Sequence, residues 1–341
     1  MNRKRFLPWL GIGMAVISLA VAAAGSAGNT SRSATFKAAI VTDTAGINDR
    51  SFNFLANKGR LRAQRELKIE TRVYISKTSA DYRPNLDAAA QDGHRAIIAN
   101  GFLLADDTSA AALRNPGSIY GIVDFPWAAL KDTPANAVGL TFKSEQSGYL
   151  VGYLAGLMVK KQGGKQVVSA VGGKKIPSVD NWIAGYKAGA QKASRKIKVL
   201  IDYSGDFPPS TAPKCKEIAL RHIAQGAQVV FQVAGGCGLG ALDAAKEKKK
   251  WGIGVDADQY YLGKHILTSG TKKVDVAVFK FIKGVKDGTL RPGRDIVYTL
   301  KNGGQGVGRI SPKVPKSFIV KMNAIRKLII AGKIKPPTSV G

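Results

Sequence analysis

The sequence predicts an α/β protein with two doubly wound units, and three observations carry that expectation. From Thr35 onward, short β-branched runs alternate with amphipathic helical stretches. The runs are near-continuously apolar, as strands of a parallel sheet covered on both faces must be. The length, 341 residues, exceeds the usual size of one domain. In chain order the first strand is FKAAIV (36–41), followed by a helix from Ser51 to about Leu67. Strands TRVYIS (71–76), RAIIAN (95–100), SIYGIV (118–123) and AVGLTF (137–142) complete the first set. QVVSAV (166–171), KVLIDY (198–203), QVVFQV (228–233) and WGIGVD (251–256) make the second. Between them NLDAAAQDG, DNWIAGYKAGAQKAS and CKEIALRHIAQ read as amphipathic helices. Gly148–Val159 is the most apolar internal stretch; its 12 residues are too few to span a bilayer, so it reads as a buried helix. No gap is rich enough in Pro, Gly or Ser for a flexible linker. The two units should therefore be joined by short strand-like crossings, placed near Phe142, Ser269 and Arg294. That division gives one lobe of 36–142 plus about 270–293 and another of 143–269 plus about 294–341.

At the N-terminus, Arg3, Lys4 and Arg5 lead into an apolar run from Phe6 to Ala24, with small residues at Ala22, Ala24, Gly25 and Ala27. This is the layout of a secretory signal over residues 1–27, and the run is also long enough to serve as an uncleaved anchor. Thr30 to Ala34 reads as a disordered leader. No Cys lies nearby to carry a lipid, so the expectation is an exported protein, periplasmic or otherwise extracytoplasmic, close to its membrane.

The chain carries 52 Lys and Arg against 23 Asp and Glu, a formal charge of +29, but its 45% hydrophobic content excludes a disordered polycation. The basic residues are scattered, Lys246 to Lys250 being the densest cluster, and no helix-turn-helix, RRM or KH pattern occurs. With export, this argues against a nucleic-acid polymer as partner. The charge instead favours contact with anionic lipid headgroups or wall polymers. Two cysteines, Cys215 and Cys237, exclude a zinc ribbon and a disulfide scaffold; a single disulfide and inert burial both stay open.

In open α/β sheets ligands bind beyond the carboxyl ends of the strands, which directs attention to the residues just after each run. These are the segment Thr42 to Asn53, then Asp124-Phe125, Gly172-Gly173, Gly235 to Gly238, and Asp256 to Gln259. Singly, each has a structural reading: Asp49 or Ser51 can cap the next helix, and glycines permit positive φ. Enzyme readings fare worse. GGCGLG is not GxGxxG, and neither GxxxxGK[ST] nor GxSxG occurs. His94, His222 and His265 follow different elements and read as surface or capping histidines. The expectation is a binding protein with no catalytic residue, metal or cofactor.

Five collinear segments sharpen it: VTDTAGINDRSFN (41–53), FKSEQSGYLVGYLAG (142–156), GGKKIPSVDNWIAGYKAG (172–189), VAGGCGLGALDAAKE (233–247), and GVDADQ with LTSGTKKVDVAVF (254–279). Together they resemble the basic membrane protein family, extracytoplasmic substrate-binding proteins of ABC transporters, several of which bind purine nucleosides. The resemblance implies a type I periplasmic-binding-protein fold: two doubly wound three-layer lobes, a three-crossing hinge, and ligand in the cleft. It also implies a permease and an ATPase as partners. Carried over by position, it puts base-stacking aromatics at Phe52 and Trp182 and ribose contacts at Asp124, Asp256 and Lys272. Asp43 and Asn48 would bind base edge or sugar, and Gly236 would let backbone approach the ligand. The chain departs from the family where the first loop reads Thr-Ala-Gly-Ile-Asn-Asp instead of carrying paired glycines and an Asp at 48. Trp182 replaces the commoner Phe, and Cys237 sits where a small hydroxyl residue is frequent. A sugar or other small polar metabolite is the alternative ligand. A nucleoside-cleaving enzyme would need an activated water or a phosphate site, and a wall-binding adhesin rests on charge alone.

Overall fold

All nine expected strands form: β1 (Lys37–Thr42), β2 (Glu70–Tyr74), β3 (Ala96–Asn100), β4 (Ile119–Val123), β5 (Ala137–Phe142), β6 (Val167–Gly172), β7 (Lys198–Tyr203), β8 (Val229–Val233) and β9 (Trp251–Asp256). Three more follow, β10 (Ile266–Lys272), β11 (Arg294–Tyr298) and β12 (Gln305–Val307). The helices are α1 (Phe52–Leu67), α2 (Tyr82–Gln91), α3 (Ala105–Arg114), α4 (Ser144–Gln162), α5 (Pro177–Ala193), α6 (Ala212–Ala224), α7 (Gly238–Glu247), α8 (Val274–Lys286) and α9 (Lys316–Ile330). The structure is a computed structural model that describes residues 1–2, 4–8 and 35–341. The secretory-signal reading, at residue 3 and from residue 9 onward, and the leader at Thr30 to Ala34 fall outside the described residues.

The strands make two sheets of identical order, β11-β5-β4-β3-β1-β2 and β12-β10-β9-β8-β6-β7, parallel except for the β10–β12 pair. Helices cover both faces of each, as near-continuous apolar strands require. In the first lobe, Leu55 and Ala56 of α1 and Val278 and Phe281 of α8 pack one face of the sheet. Leu86 of α2 and Ala111 of α3 pack the other. In the second, α4, α5 and α9 share one core, while α6 and α7 build the opposite layer. The apolar stretch at 148–159 is the middle of α4 and is buried against α5. Their backbones nearly touch: a Cβ on Gly152 would stand 2.1 Å from the Tyr186 carbonyl oxygen, and one on Gly189 would stand 2.0 Å from that of Tyr149.

The chain passes between lobes at Lys143, at Lys273 and between Tyr298 and Gln305. Two boundaries therefore shift. β10 stays in the second sheet through Lys272, beyond the expected change near Ser269. β11 pairs with β5 from Arg294↔Val138 to Tyr298↔Phe142, so 294–298 belong to the first lobe and not the second. Tyr298 holds it there by stacking on Phe142, with ring centroids 4.8 Å apart.

Cys215 and Cys237 form a disulfide between the start of α6 and the turn into α7, which resolves the open alternative. Two histidines are buried, one of them as the expected cap: His94 closes the last turn of α2, whereas His222 is neither a surface nor a capping residue. His94 is buried, with Nδ1 2.8 Å from the Ala89 carbonyl. His222 is buried between Ser169 Oγ (2.7 Å) and Asp202 Oδ2 (2.9 Å). Burial pushes the pKa of both below the usual range; Asp202 pulls His222 the other way. The Ser–His–Asp line has no reach to a substrate, because Ser169 is fully buried in β6.

Candidate functional site

The first-lobe wall begins where β1 ends. Asp43 is buried, and its Oδ1 accepts hydrogen bonds from the Ala45 amide (2.9 Å) and Asn53 Nδ2 (2.6 Å). Asn53 Oδ1 in turn accepts from Asn100 Nδ2 at the end of β3 (2.7 Å). Asp49, also buried, takes the first amides of α1: Oδ1 accepts from Ser51 N (3.0 Å) and Phe54 N (2.9 Å), Oδ2 from Asn53 N (2.8 Å). It is the cap that an aspartate before a helix is expected to provide, and it fixes the position of Phe52 on the first turn. Burial pushes the Asp43 carboxyl up to about 6 and Asp49 up to about 7, against the hydrogen bonds that favour the charged forms.

The two lobes meet at a pair of equivalent aspartates. β4 and β9 hold the same place in their sheets; Asp124 directly follows the one and Asp256 ends the other. Both have left-handed backbone, φ 69° and 60°, a conformation uncommon outside glycine and concentrated at functional sites. Lys272, at the end of β10, lies between them. Its Nζ is 2.7 Å from Asp124 Oδ2 and 3.9 Å from Asp256 Oδ1, and stands over the rings of Phe52 and Phe142 at 4.9 and 5.3 Å. Burial raises the Asp256 carboxyl, while Lys272 and the Ser51 hydroxyl draw it down. Ser51 Oγ, from the first lobe, donates to Asp256 Oδ2 (2.8 Å), and Gln259 Nε2 donates to the Arg50 carbonyl (3.4 Å). The lobes are thus hydrogen-bonded across the cleft.

Between them is a cavity, partly open to solvent and lined from both lobes. Asp43, Phe52, Asp124, Trp182, Asp256 and Lys272 line it, so six of the expected site residues converge. Asn48 does not; it is exposed, because in this turn the neighbouring Asp49 takes the inward position as helix cap. Gly236 does not either: a Cβ there would meet Pro209 at 2.5 Å, so its lack of a side chain serves packing within the lobe, and Gly235 lines the cavity instead. Trp182 is only 1% exposed, its ring seated on Gly270, where a Cβ would come within 2.5 Å, and packed edge-to-face against Phe231. It forms part of the cavity floor while belonging to the second-lobe core.

Sequence reasoning missed Asp49 as a wall residue, and also Phe102 and Phe207. Phe102 follows β3 by two residues and met the strand-end criterion. Phe207 lies on the loop after β7 and reaches the cleft because Gly173 opposite has no side chain; a Cβ there would stand 2.3 Å from the ring. Both are half-buried, unlike Trp182.

One consequence concerns pH. A carboxyl at about 6 in the fold and near 3.9 in the unfolded chain holds its proton more tightly when folded. Its stabilisation is therefore complete below about pH 4 and lost as pH rises through 6. Both hydrogen bonds to Asp43 fall on Oδ1, so Asp43→Asn keeps them and abolishes the titration. Urea unfolding from pH 4 to 8 should show a smaller decline for the variant up to pH 6. The portion reaching about 7, from Asp49, should persist.

The chain matches the family described as ABC transporter substrate-binding protein PnrA-like over residues 36–339. It is 37% identical over 294 residues to the ABC transporter nucleoside-binding protein BmpA of Lactococcus lactis subsp. cremoris, covering 80% of this chain and 81% of that protein. Basic membrane protein A of Borreliella burgdorferi is 35% identical over 272 residues, 79% of this chain and 78% of the relative. A crystal structure of an ABC transporter solute-binding protein from Aeropyrum pernix superimposes with a TM-score of 0.81 at 27% identity, over 90% of this chain and 94% of the other.

Proposed function

The chain belongs to the PnrA-like family of ABC transporter substrate-binding proteins, and from that premise we propose that it captures a purine nucleoside outside the cytoplasm and delivers it to a permease and its ATPase. The observation that carries the ligand class is the composition of the cleft, where aromatic rings from both lobes flank one buried Asp–Lys–Asp cluster. Flat bases stack on aromatic faces, and a ribose diol offers hydroxyl donors to carboxylates while an ammonium donates back to its oxygens. The name of the Lactococcus relative supports the same class. Asp43, with Oδ1 taken by the Ala45 amide and Asn53, has Oδ2 left to accept from a donor on the base edge. Binding breaks no bond. Contacts to Asp43 and Phe52 on one lobe and Asp256 and Phe207 on the other would favour the closed arrangement already bridged by Ser51 and Asp256.

Isothermal titration of refolded, ligand-stripped protein with adenosine, guanosine, cytidine and ribose tests this. Binding of the purine nucleosides without ribose supports it. Binding of ribose alone, or of none, replaces the ligand class. Within the same assay Phe52→Ala should cost about 1–3 kcal/mol of affinity, since it removes a stacking face while leaving the hydrogen-bonding groups of Asp124, Asp256 and Lys272 in place, although Lys272 loses the ring beneath its ammonium. No change would take Phe52 out of the ligand contact.

A further inference from the structure

The unevenness of the charge points to a second interaction surface. Asp295 is the last acidic residue of the chain; between 296 and 341 stand nine Lys and Arg. The centre of that segment is α9, which is fixed in orientation because Met322, Ile325 and Ile329 are buried in the second-lobe core. Its opposite face carries Lys316, Val320 and Lys327, flanked by Lys321 and Leu328, all exposed, with Val320 69% accessible. Among the described residues, the three lysines of this face have no carboxylate ion-paired to them.

We propose that the outer face of α9 binds an anionic lipid surface. Positive charge alone would suit any polyanion, including a wall polymer. The exposed Val320 and Leu328, set among lysines whose alkyl stems can lie along an apolar surface, gain only from a phase that takes up apolar side chains. Lysines at the headgroups with valine and leucine beneath them is the arrangement of an interfacial helix on acidic lipid. Half of the helix is committed to the core, so the contact is peripheral, reversible and weakened by salt. No described helix is long and apolar enough to cross a membrane. The inference is independent of which ligand occupies the cleft.

The test uses the full chain, and because residues 6–24 are themselves apolar, its readout is residue by residue rather than bulk co-sedimentation. Lysine acetylation, read by mass spectrometry, is compared with phosphatidylcholine vesicles and with vesicles also containing phosphatidylglycerol. Acetylation of Lys316, Lys321 and Lys327 should fall several-fold only with phosphatidylglycerol, while exposed Lys68 and Lys77 of the first lobe keep their reactivity. Val320→Asp, at a site with no core contact to lose, should abolish that protection and leave nucleoside titration unchanged. The proposal is overturned by absence of protection, by equal protection from pure phosphatidylcholine, or by protection spread equally to Lys68 and Lys77. Protection that survives Val320→Asp, or that lipid-free poly(glycerol phosphate) reproduces, overturns it in favour of a wall polymer.

Discussion

Lys272→Met should lower the unfolding free energy by about 3–5 kcal/mol, the cost of removing one partner from a buried charge pair. The lysine side chain is 3% exposed and is the cation nearest to two buried carboxylates, Asp124 at 2.7 Å and Asp256 at 3.9 Å. Methionine fills much of the same volume between Phe52 and Phe142, so the loss would be electrostatic and not a cavity effect. The double variant Lys272→Met with Asp124→Asn discriminates: asparagine tolerates the left-handed backbone at 124, and removing the orphaned charge should recover much of the deficit. Urea denaturation of the four proteins in the cycle measures both quantities. A loss below about 1 kcal/mol in the single variant would mean that the pair behaves as a solvated surface bridge.

This cluster also marks the limit of what the sequence discloses. The inner strands among β1 to β9 were legible because doubly covered parallel strands must be apolar along their length, and the partly exposed edge strands β2 and β7 by their β-branched and aromatic residues. β10 was not, although all of Ile266–Lys272 is buried, because it is rich in Ser, Thr and Lys. Those polar groups find partners only in the folded hinge: Ser269 Oγ accepts from the Gln259 amide, and Lys272 meets Asp124 from the other lobe. The strand-end rule found Asp124 and Asp256. It could not choose between Asn48 and Asp49, adjacent in one turn, since only the cap geometry of α1 sends one inward. Trp182 fitted both a cleft platform and a core aromatic, and the contact that seats its ring comes from Gly270, on a strand 88 residues further along. Phe207 required Gly173 from a different loop. Local pattern thus identifies which segments reach the cleft; the identity of the inward side chain is decided by contacts between segments.

Asp256→Ala should weaken nucleoside binding by about 1.5–3 kcal/mol, roughly ten- to a hundred-fold, the scale of a hydrogen bond to a charged group. Two losses combine. The ribose diol would lose a carboxylate acceptor, and the lobes would lose the Ser51 Oγ–Asp256 Oδ2 bond that joins them. Alanine at φ 60° also carries a conformational penalty that aspartate tolerates better, so Asp256→Asn is the necessary companion. Asparagine keeps the backbone preference and can still accept from Ser51, but it offers no charge to the diol or to Lys272. If Asp256 serves the ligand directly, Asn should retain near-native unfolding free energy and still lose affinity. If it serves only the lobe bridge, Asn should bind as well as the native protein and Ala alone should fail. Calorimetric titration paired with urea unfolding separates the two, and unchanged affinity in both variants would remove Asp256 from the ligand site altogether.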